Sequence, residues 1–451
     1  MKNKFTVLII LIITAFNFNT GYSQTSDTSS FTWTAIGNGV SSSVNDIFIK
    51  SENEIYAAGQ FVNAGGITVN RIAVWNGTEW SALGTGVNGT VHTIAIDGDD
   101  VYAGGDFTTA GGVTVNRIAK WNGTSWSALG TGVNHRVKKI IIHNGNIYVS
   151  GFFTIAGSDS ASQIAKWDGV SWSALGSGIN LNLDAMAVSQ SGIVYAGGLF
   201  NLAGGVTVRN IAQWNGSSWS AVGSGVRGEI KGMHCLGNDL YITGFIDSAG
   251  DISANNIARW DGSSWSAIGN GVTGAPVCVY PVSNNEIYLG GFTGSPSGSL
   301  FAKWNGSKWS FPTPALNSFI LSISKFNDLL IVGGQFNFFG SSPLNHIARL
   351  TDVITGTGNS NEIIQGFKLY QNFPNPFNPE TTIKYSIPAS SEYTLKIFEI
   401  NGKEIETLVN KFSAPGEYSV QWNASEYSSG VYFYKLSSDK FSSVKRMLLL
   451  K

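Results

Sequence analysis

The chain has 451 residues, a formal net charge of −1 and only 13% charged residues. Its length allows two or three domains, and its charge excludes the global electrostatic field that attracts nucleic acid or an anionic lipid surface. The 55 glycines and 14 tryptophans favour many short strands joined by tight turns, so we predict an all-β protein that binds no nucleic acid.

Residues 1–24 have the pattern of a secretory signal peptide. Lys2 and Lys4 precede an apolar run, residues 5–16, that is too short to span a bilayer comfortably. A polar stretch follows, and we expect cleavage after Ser23 or Gln24. The alternative is an uncleaved signal anchor. No cysteine lies near the cleavage region, so the pattern does not favour a lipoprotein.

From residue 31 to residue 350 the sequence repeats at an interval of about 46 residues. Six units contain a pair of tryptophans, preceded by a tyrosine series that runs in step from Tyr56 to Tyr288. The first tryptophans of the pairs are Trp75, Trp121, Trp167, Trp214, Trp260 and Trp304. The second tryptophans are Trp80, Trp126, Trp172, Trp219, Trp265 and Trp309.

The clearest unit, residues 91–133, divides into four strands, which we name a to d. Strands a and b, at 91–96 and 101–105, flank a turn rich in Gly and Asp. A longer loop leads to strand c at 117–121, and an Asn-Gly step leads to strand d at 126–129. Asn-Gly and Asp-Gly suit this hairpin because both residues tolerate positive φ. The two tryptophans flank the turn, where they can meet across strands.

Four strands in each repeat of this length predict a β-propeller. A helical solenoid is excluded because the units show no helical period, and a parallel β-helix usually has shorter repeats without these hairpins. Residues 31–37 have the pattern of a strand d that lacks the other three, whereas residues 346–350 have that of a strand c with no strand d after it. We predict that the first supplies the outer strand of the last blade, which gives seven blades within residues 25–350 and removes a free edge.

The repeat resembles the kelch-type blade of galactose-oxidase-like propellers, because Ile-Tyr-x-Gly-Gly precedes Ile-Ala-x-Trp and a second tryptophan. The phrase WNGTSWSALGTGV also resembles repeats of large surface propellers, including fungal cortical-marker proteins. The resemblance is specific for architecture rather than function. The copper site of galactose oxidase, with its Tyr–Cys link, has no counterpart here. The sixth unit departs by a shortened b–c loop, and the seventh by loss of its tryptophan pair.

Residues 351–365 have the composition of a linker, and residues 366–451 that of a separate β-domain. Strands are expected at residues 393–400, 403–409, 417–422 and 431–436, which together suit a small β-sandwich.

This tail strongly resembles the type A C-terminal sorting domain of type IX secretion substrates, through LYQNFPNPFNPETTIKYSIP, EINGKEIETLV, SSGVYFYKL and KRMLLLK. The resemblance implies export by the outer-membrane translocon of a Gram-negative bacterium. A sortase-like peptidase would then release the propeller or attach it to the surface. A carbohydrate-binding or fibronectin-like module is the alternative. The expected sorting-signal residues are Pro374, Asn375, Pro376, Phe377, Asn378, Pro379, Gly430, Tyr432, Lys445 and Lys451.

Motifs for catalysis and metal binding are not found in the sequence. The five histidines have no metal-ligand spacing, and neither HExxH nor CxxC occurs. No G-x-S-x-G motif precedes a helix. We therefore expect no catalytic, cofactor or metal site. Cys235 and Cys278 lie in consecutive units, where they form either one disulfide or two small core residues.

The two faces of the propeller differ in their predicted loops. The b–c and d–a loops share one face, and its cationic residues make it the predicted ligand face, although ordinary solvated turns are the alternative. The expected function is non-enzymatic binding of a glycan or protein by a monomeric propeller. The alternatives are a hydrolase or lyase acting on polysaccharide and a structural surface-layer component. The candidate residues are Arg71, Arg117, His135, Arg136, Lys138, Arg209, Arg227 and Lys231.

Overall fold

The computed structural model describes residues 31–293, 298–311, 315–352, 368–387, 391–413, 416–438 and 441–451. The chain divides into two compact units, residues 1–355 and 356–451. The signal-peptide prediction for residues 1–24 lies outside the described residues. In the part of the chain that is described, no helix has the length and apolar character needed to cross a membrane.

The described residues of the first unit form seven antiparallel sheets, each with strands in the order a-b-c-d. In the fifth sheet a further short strand, Ile252–Ser253, pairs with strand b. We number the sheets 1 to 7 in the order of their strands a. Strands a are Val44–Ser51, Val91–Asp97, Val137–His143, Asn182–Val188, Val226–Leu236, Ala275–Ser283 and Ile320–Phe326. Strands b are Glu54–Gly59, Asp100–Gly105, Asn146–Gly151, Val194–Leu199, Asp239–Ala249, Glu286–Phe292 and Leu329–Gly334. Strands c are Ile72–Trp75, Ile118–Trp121, Ile164–Trp167, Ile211–Trp214, Ile257–Trp260, Ser299–Trp304 and Ile347–Asp352. Strands d are Trp80–Ala82, Trp126–Ala128, Trp172–Ala174, Trp219–Ala221, Trp265–Ala267, Trp309–Ser310 and, for sheet 7, Phe31–Ala35.

The hairpin between strands c and d is set by local chemistry. Gly77 adopts a φ of 97°, which favours glycine. The side-chain oxygen of Asn76 accepts the backbone N–H groups of Thr78 and Glu79, both at 2.9 Å. Asp261 makes the same two bonds in sheet 5, at 2.8 and 2.7 Å. Asn and Asp are therefore interchangeable in this turn.

Tryptophan pairs join neighbouring sheets. Trp75 lies opposite Trp80 across the hairpin, with ring centroids 5.6 Å apart. The indole N–H of Trp80 donates to the carbonyl of Ile36, which follows strand d of the preceding sheet, at 3.2 Å. Trp126 donates in the same way to Leu83 at 2.8 Å. The second tryptophan of a pair thus links its sheet to the preceding one through a hydrogen bond, which explains why this tryptophan recurs.

The inner strands a lie side by side around the ring, and each contains a β-bulge near its start. The residue after the bulge binds the next strand in part of the ring. Side-chain oxygens of Asp46, Thr93 and Ser322 accept the N–H groups of Ile94, Ile140 and Ile47, respectively, at 3.1–3.2 Å. We call sheets 7, 1 and 2, which supply these acceptors, the closing arc. The bulged residues are Asn45, His92, Lys138, Asp184, Lys231, Val277 and Leu321.

The ring closes through the first described strand. Phe31–Ala35 pairs with Ile347–Asp352, as the repeat pattern predicts, and places Trp33 opposite Leu350. Trp33 is buried, and its ring meets that of Phe301 edge-on at 5.0 Å. The seventh sheet therefore has a tryptophan at the strand-d position, supplied by the N-terminal part of the chain. The predicted linker at 351–365 starts too early, because Thr351 and Asp352 still belong to the closing strand pair.

The second unit contains two antiparallel sheets. One has three strands, Lys368–Leu369, Glu380–Ile387 and Gly416–Asn423, and the other has Glu404–Ser413, Ser391–Glu399, Gly430–Ser438 and Phe441–Leu449 in that order. Side chains from both sheets form one core that includes Ile383, Tyr393, Trp422 and Tyr434. The strands at 380–387 and 441–449 were not among the expected ones.

Candidate ligand face and sorting motif

A ring of variable residues lies where strand b ends on the face of the b–c and d–a loops. Each of these rim residues follows the last glycine of strand b and lies next to the start of strand a. The N–H of Gln60, for example, donates to Ser43 at 2.9 Å, and that of Phe152 donates to Arg136 at 2.9 Å. The residue after each rim residue is usually a buried phenylalanine, such as Phe61 or Phe153. The rim residues are Gln60, Asp106, Phe152, Leu199, Phe245, Phe292 and Gln335.

The rim is polar in sheets 7, 1 and 2 and apolar in sheets 3 to 6. We call the four apolar rim residues, Phe152, Leu199, Phe245 and Phe292, together with Phe319, the apolar arc. Phe245 is 45% exposed and Phe319 is 36% exposed, although their size and chemistry favour burial. The ring centroids of Phe292 and Phe319 are 4.7 Å apart, and those of Phe245 and Phe292 are 6.3 Å apart. Phe245, Phe292 and Phe319 therefore form a contiguous apolar surface across sheets 5 to 7, in which Phe292 is half-buried.

The loop of sheet 6 is shorter than its counterparts beside this surface. In the other sheets the b–c loop carries a small strand pair, such as Asn63–Ala64 with Ile67–Thr68 in sheet 1. The described residues of the sheet 6 loop contain no such pair, and strand c already begins at Ser299, opposite Phe292. Within the described part of the chain, the row of outer strand pairs is thus interrupted at sheet 6, next to the aromatic cluster.

Charged side chains flank the apolar arc in compensated pairs. The β-bulges direct Lys138, Asp184 and Lys231 toward one another, and Asp184 binds both ammonium groups. Lys231 Nζ lies 3.2 Å from an Asp184 carboxylate oxygen and 2.7 Å from one of Glu229. Arg136 Nε lies 2.7 Å from Asp106. This part of the face carries both signs of charge in contact, so it does not select for anions alone.

The pKa shifts follow from these contacts. Burial alone would raise the pKa of Asp184, but Lys138 and Lys231 outweigh it and hold the pKa below its usual value. Burial opposes the same effect at Asp106, where hydrogen bonds from Arg136 and His92 lower the pKa. Burial lowers the pKa of His92 despite its 2.9 Å contact with Asp106. Both carboxylates are therefore ionised at neutral pH, and His92 is neutral.

The eight cationic residues predicted for this face do not form one patch. His135, Arg136 and Lys138 gather around Phe152, with Lys138 Nζ 4.9 Å from the ring centroid. Lys231 reaches the same network through Asp184, whereas Arg227 lies 3.5 Å from Asp247 in an exposed pair.

The other three predicted arginines have local structural surroundings. Arg71 donates to the carbonyl of Val87 at 3.2 Å, and Arg117 donates to that of Asp106, so both hold loop backbone. In sheet 4 the position equivalent to Arg71 is Asn210, whose side chain donates to the carbonyls of Val226 and Gly228 at 3.1 and 2.8 Å. Arg209 itself is exposed.

Of the two predicted cysteine alternatives, the structure shows two unpaired, partly buried thiols. Cys235 and Cys278 are both unpaired, and burial raises the pKa of each to about 12. Burial also lowers the pKa of the neighbouring His234 to about 4. No cluster of three or more His, Cys, Asp or Glu side chains suited to a metal ion occurs among the described residues.

The sequence reasoning missed the apolar arc. Its signal was visible in the aligned repeats, because the residue between the last glycine of strand b and the buried phenylalanine changes from Gln or Asp to Phe or Leu.

The expected sorting-signal residues of the second unit come together at the last strand. Phe377 is buried against Trp422, with ring centroids 5.6 Å apart, and its N–H donates to the carbonyl of Leu448 at 3.0 Å. The side chain of Asn375 accepts the N–H of Leu448 at 2.8 Å. The loop at 374–379 thus covers the free edge of strand Phe441–Leu449.

The remaining sorting-signal residues support this arrangement. Gly430 and Tyr432 pair with Leu449 and Met447, and Lys445 lies opposite Tyr434 in the same ladder. The terminal Lys451 Nζ donates to the carbonyl of Ser425 at 2.6 Å. The carbonyls of Pro374 and Pro379 accept from Thr381 and Ala424, both at 2.8 Å, whereas Pro376 and Asn378 are exposed.

Comparisons with known proteins agree with both units. The family model described as Rax2 C-terminal beta propeller domain matches residues 21–184. The model described as secretion system C-terminal sorting domain matches residues 371–450. The chain thus combines a β-propeller with a sorting tail of type IX secretion, which implies secretion or display at the cell surface in Bacteroidetes-type bacteria and interaction with the secretion machinery.

Comparison with solved structures gives matches at low sequence identity and with TM-scores below 0.5. YCF48 bound to D1 peptide is 16% identical, with 72% of this chain and 97% of that chain covered and a TM-score of 0.48. The WD40 beta propeller domain of Doa1 is 13% identical, with 71% and 95% covered and a TM-score of 0.47. A protein of unknown function from Bacteroides thetaiotaomicron is 9% identical, with 72% and 99% covered and a TM-score of 0.35. No curated protein matches the chain.

Proposed function

We propose that this protein is a non-enzymatic binding module that presents a seven-bladed, kelch-type propeller outside the cell and holds a glycan or protein ligand on its b–c and d–a face. A cleaved signal peptide at residues 1–24 carries it across the inner membrane. The tail, a small β-sandwich of the type A class, directs it through the type IX translocon. A sortase-like peptidase then releases the propeller or attaches it to the surface.

The apolar arc is the observation that carries this proposal. Phenylalanine and leucine occupy equivalent rim positions in four consecutive sheets, although other sheets fill the same position with polar residues. The fold therefore does not require apolar residues there. Contiguous exposed apolar surface bordered by polar groups is typical of a binding site. Phe245, Phe292 and Phe319 form its centre because they touch one another beside the shortened loop.

The polar groups beside the arc favour binding over hydrolysis. A glycoside hydrolase needs two carboxyl groups at the site, one of them with a raised pKa so that it can donate a proton. Asp106 and Asp184 instead have lowered pKa values and are held by cations. They suit hydrogen bonding to a ligand better than general acid catalysis.

The test is a glycan and protein binding screen with the intact exported chain. The ligand found is then titrated against Phe245→Ser and Phe292→Ser. We expect each variant to weaken binding at least about tenfold, since central aromatic residues dominate binding interfaces. Val170→Ser is the matched control because Val170 is 86% exposed in a c–d turn on the opposite face.

Two results would contradict the proposal. One is a ligand whose affinity is unchanged in both phenylalanine variants, and the other is a screen with no saturable ligand, which would favour a structural surface-layer role. Release of reducing sugar ends from a bound polysaccharide would favour the enzyme alternative. Export is tested separately: deletion of residues 366–451 should leave the propeller in the periplasm.

A further inference from the structure

The four-stranded sheet of the tail has one face in the core and one face outside it. Tyr393, Leu395 and Ile397 point inward with Tyr432, Tyr434, Leu436 and Met447, and all are buried. Because side chains alternate along a strand, the intervening residues form the outer face. This face includes Phe398 and Phe433, which lie directly opposite each other.

The outer face of this sheet carries an open apolar groove. Its volume is about 230 Å³, and the sides are formed largely by Phe398, Ile400, Phe433 and Val444. Ile400 is 75% exposed and Val444 is 53% exposed. The aromatic pair is only half-buried because no described residue of the tail is packed over it.

The three-stranded sheet shows that an apolar outer face is not required by the fold. Its outward positions are polar: Thr382 lies opposite Gln421, and Lys384 lies opposite Ser419. Sheets with one buried and one solvated face normally alternate in this way. The apolar groove of the four-stranded sheet therefore departs from the pattern that the other half of the same domain follows.

The charges at the edge of the groove are incompletely compensated. Lys396 and Lys435 lie directly opposite each other, an arrangement that is unfavourable for like charges. Glu404 pairs with Lys396 at 2.9 Å. Lys435 lines the groove together with Glu399, whose carboxylate accepts a hydrogen bond from the side chain of Asn401 at 3.2 Å. No ion pair joins Lys435 to a described residue of the tail. A carboxylate from another molecule would complete the second pair.

We propose that this groove is the surface by which a protein component of the secretion machinery docks on the tail. Its lining consists of Phe398, Glu399, Ile400, Gly402, Phe433, Lys435 and Val444. The fitting partner presents one apolar side chain with a carboxylate next to it. The apolar side chain enters between the two phenylalanines and Val444, and the carboxylate reaches Lys435. The inference rests on the export role of the tail and is independent of the ligand of the propeller.

Export of the full chain in a competent host tests this assignment. Lys435→Glu reverses the groove charge, and Val444→Glu places a carboxylate in the apolar part; both positions are on the surface, so the sheet remains folded. We expect the surface-exposed fraction to fall about tenfold in each variant while the protein accumulates in the periplasm. Lys435→Gln should give an intermediate loss.

Matched controls lie on the polar outer face of the other sheet. Lys384→Glu makes the same charge reversal, and Ser419→Glu adds the same carboxylate, both at exposed positions. The controls should be exported like the wild type, and all four variants should melt like it. Wild-type export of Lys435→Glu and Val444→Glu would overturn the proposal, as would equal losses in the controls. Conversion of a dimer to a monomer with normal export would instead identify the groove as a contact between copies. Ligand binding by the propeller should be unchanged in every variant, so failure here differs from failure of the proposed function.

Discussion

The closing arc and the apolar arc are built from the same repeat but differ in their inner-strand hydrogen bonds and in their rim residues. In sheets 7, 1 and 2, the residues after the bulge bind the neighbouring inner strand through Ser322, Asp46 and Thr93. At the equivalent positions in sheets 4 and 5 stand Ala185 and Gly232, which have no side-chain oxygen. The rim changes in parallel, from polar residues in the closing arc to Phe152, Leu199, Phe245 and Phe292 in sheets 3 to 6.

The difference shows how a repeat protein can separate stability from binding. Sheets 7, 1 and 2 contain the point where the ring is joined, and added hydrogen bonds between inner strands compensate for a closure that no covalent connection supports. The remaining sheets are continuous in sequence, so their rim and bulge residues are free to vary. Most of the apolar arc accordingly lies in sheets 3 to 6, and only Phe319 belongs to the seam sheet, where it precedes strand a.

Replacing Trp33 with proline should have the largest effect, because it opens the closing arc. The substitution removes a buried aromatic side chain and a strand residue that faces Leu350. We expect a loss of at least about 4 kcal/mol in the free energy of unfolding, measured by urea denaturation. Val170→Ala, an exposed substitution, should leave the transition in place. If the proline variant unfolds at the same urea concentration as the wild type, ring closure does not contribute to the free energy of unfolding.

Asp184→Asn tests the charge network of the apolar arc. The loss should be about 2 kcal/mol at pH 7, because two lysines lose a shared and largely buried partner while remaining partly exposed themselves. The folded-state pKa of Asp184 is lowered, so its stabilisation is present above the unfolded pKa of about 3.9 and disappears as the pH falls through the folded value. Urea denaturation at several pH values should show the two proteins converging under strongly acidic conditions. A constant difference across that range would argue against the ion pairs.

Thr93→Val should destabilise the closing arc by about 1.5 kcal/mol, since it leaves the buried N–H of Ile140 without its 3.2 Å acceptor. Hydrogen exchange measured at Ile140 should accelerate. Exchange at Ile94, which is bonded to Asp46, serves as the internal control and should stay slow. Unchanged protection at Ile140 would mean that the inner-strand bond is not formed in solution.

Substitutions within the c–d turns should matter least, because the turns are alike in both arcs. Asn76→Asp and Asp261→Asn keep the same side-chain acceptor for the same two N–H groups. Backbone and side-chain hydrogen bonds from Ser263 and Ser264 hold the pKa of Asp261 below its usual value, so it is ionised at pH 7. Both variants should melt within about 1 °C of the wild type by calorimetry. A larger change in melting temperature for only one of the two variants would contradict the equivalence of the c–d turns in the two arcs.

The repeats made the propeller predictable and left the tail only partly so. Each sheet forms from residues close in sequence, and its Asn-Gly turns and tryptophan pair are local signals. Even the distant pairing of residues 31–35 followed from a missing strand at one end and a surplus strand at the other. In the tail, the position of strand Phe441–Leu449 depends on long-range contacts such as that of Phe377 with Leu448. The tail has no repeats from which such a contact could be predicted.

The contacts of the residues on the predicted ligand face could not be read from the sequence for a related reason. Arg71 and Arg117 were chosen for their charge, but the positive φ of Arg71 and its bond to loop backbone give it a structural task. Whether a cation is compensated depends on neighbours in other sheets, as with Lys138 and Asp184. The apolar arc becomes apparent only when equivalent positions are compared across the repeats. A single phenylalanine in a sequence rich in apolar residues does not indicate whether its side chain is buried or exposed.

The seam also sets an order of events in time. The first strand, Phe31–Ala35, finds its partner, Ile347–Asp352, only after nearly the whole propeller has been made. A chain synthesised from its N-terminus therefore carries an unpartnered tryptophan strand until the end of the last repeat emerges. Pairings that join distant parts of a chain are slow to form. Ring closure is thus expected to be a late folding step, and the unpaired edges of the first and last strands stay exposed until it is complete.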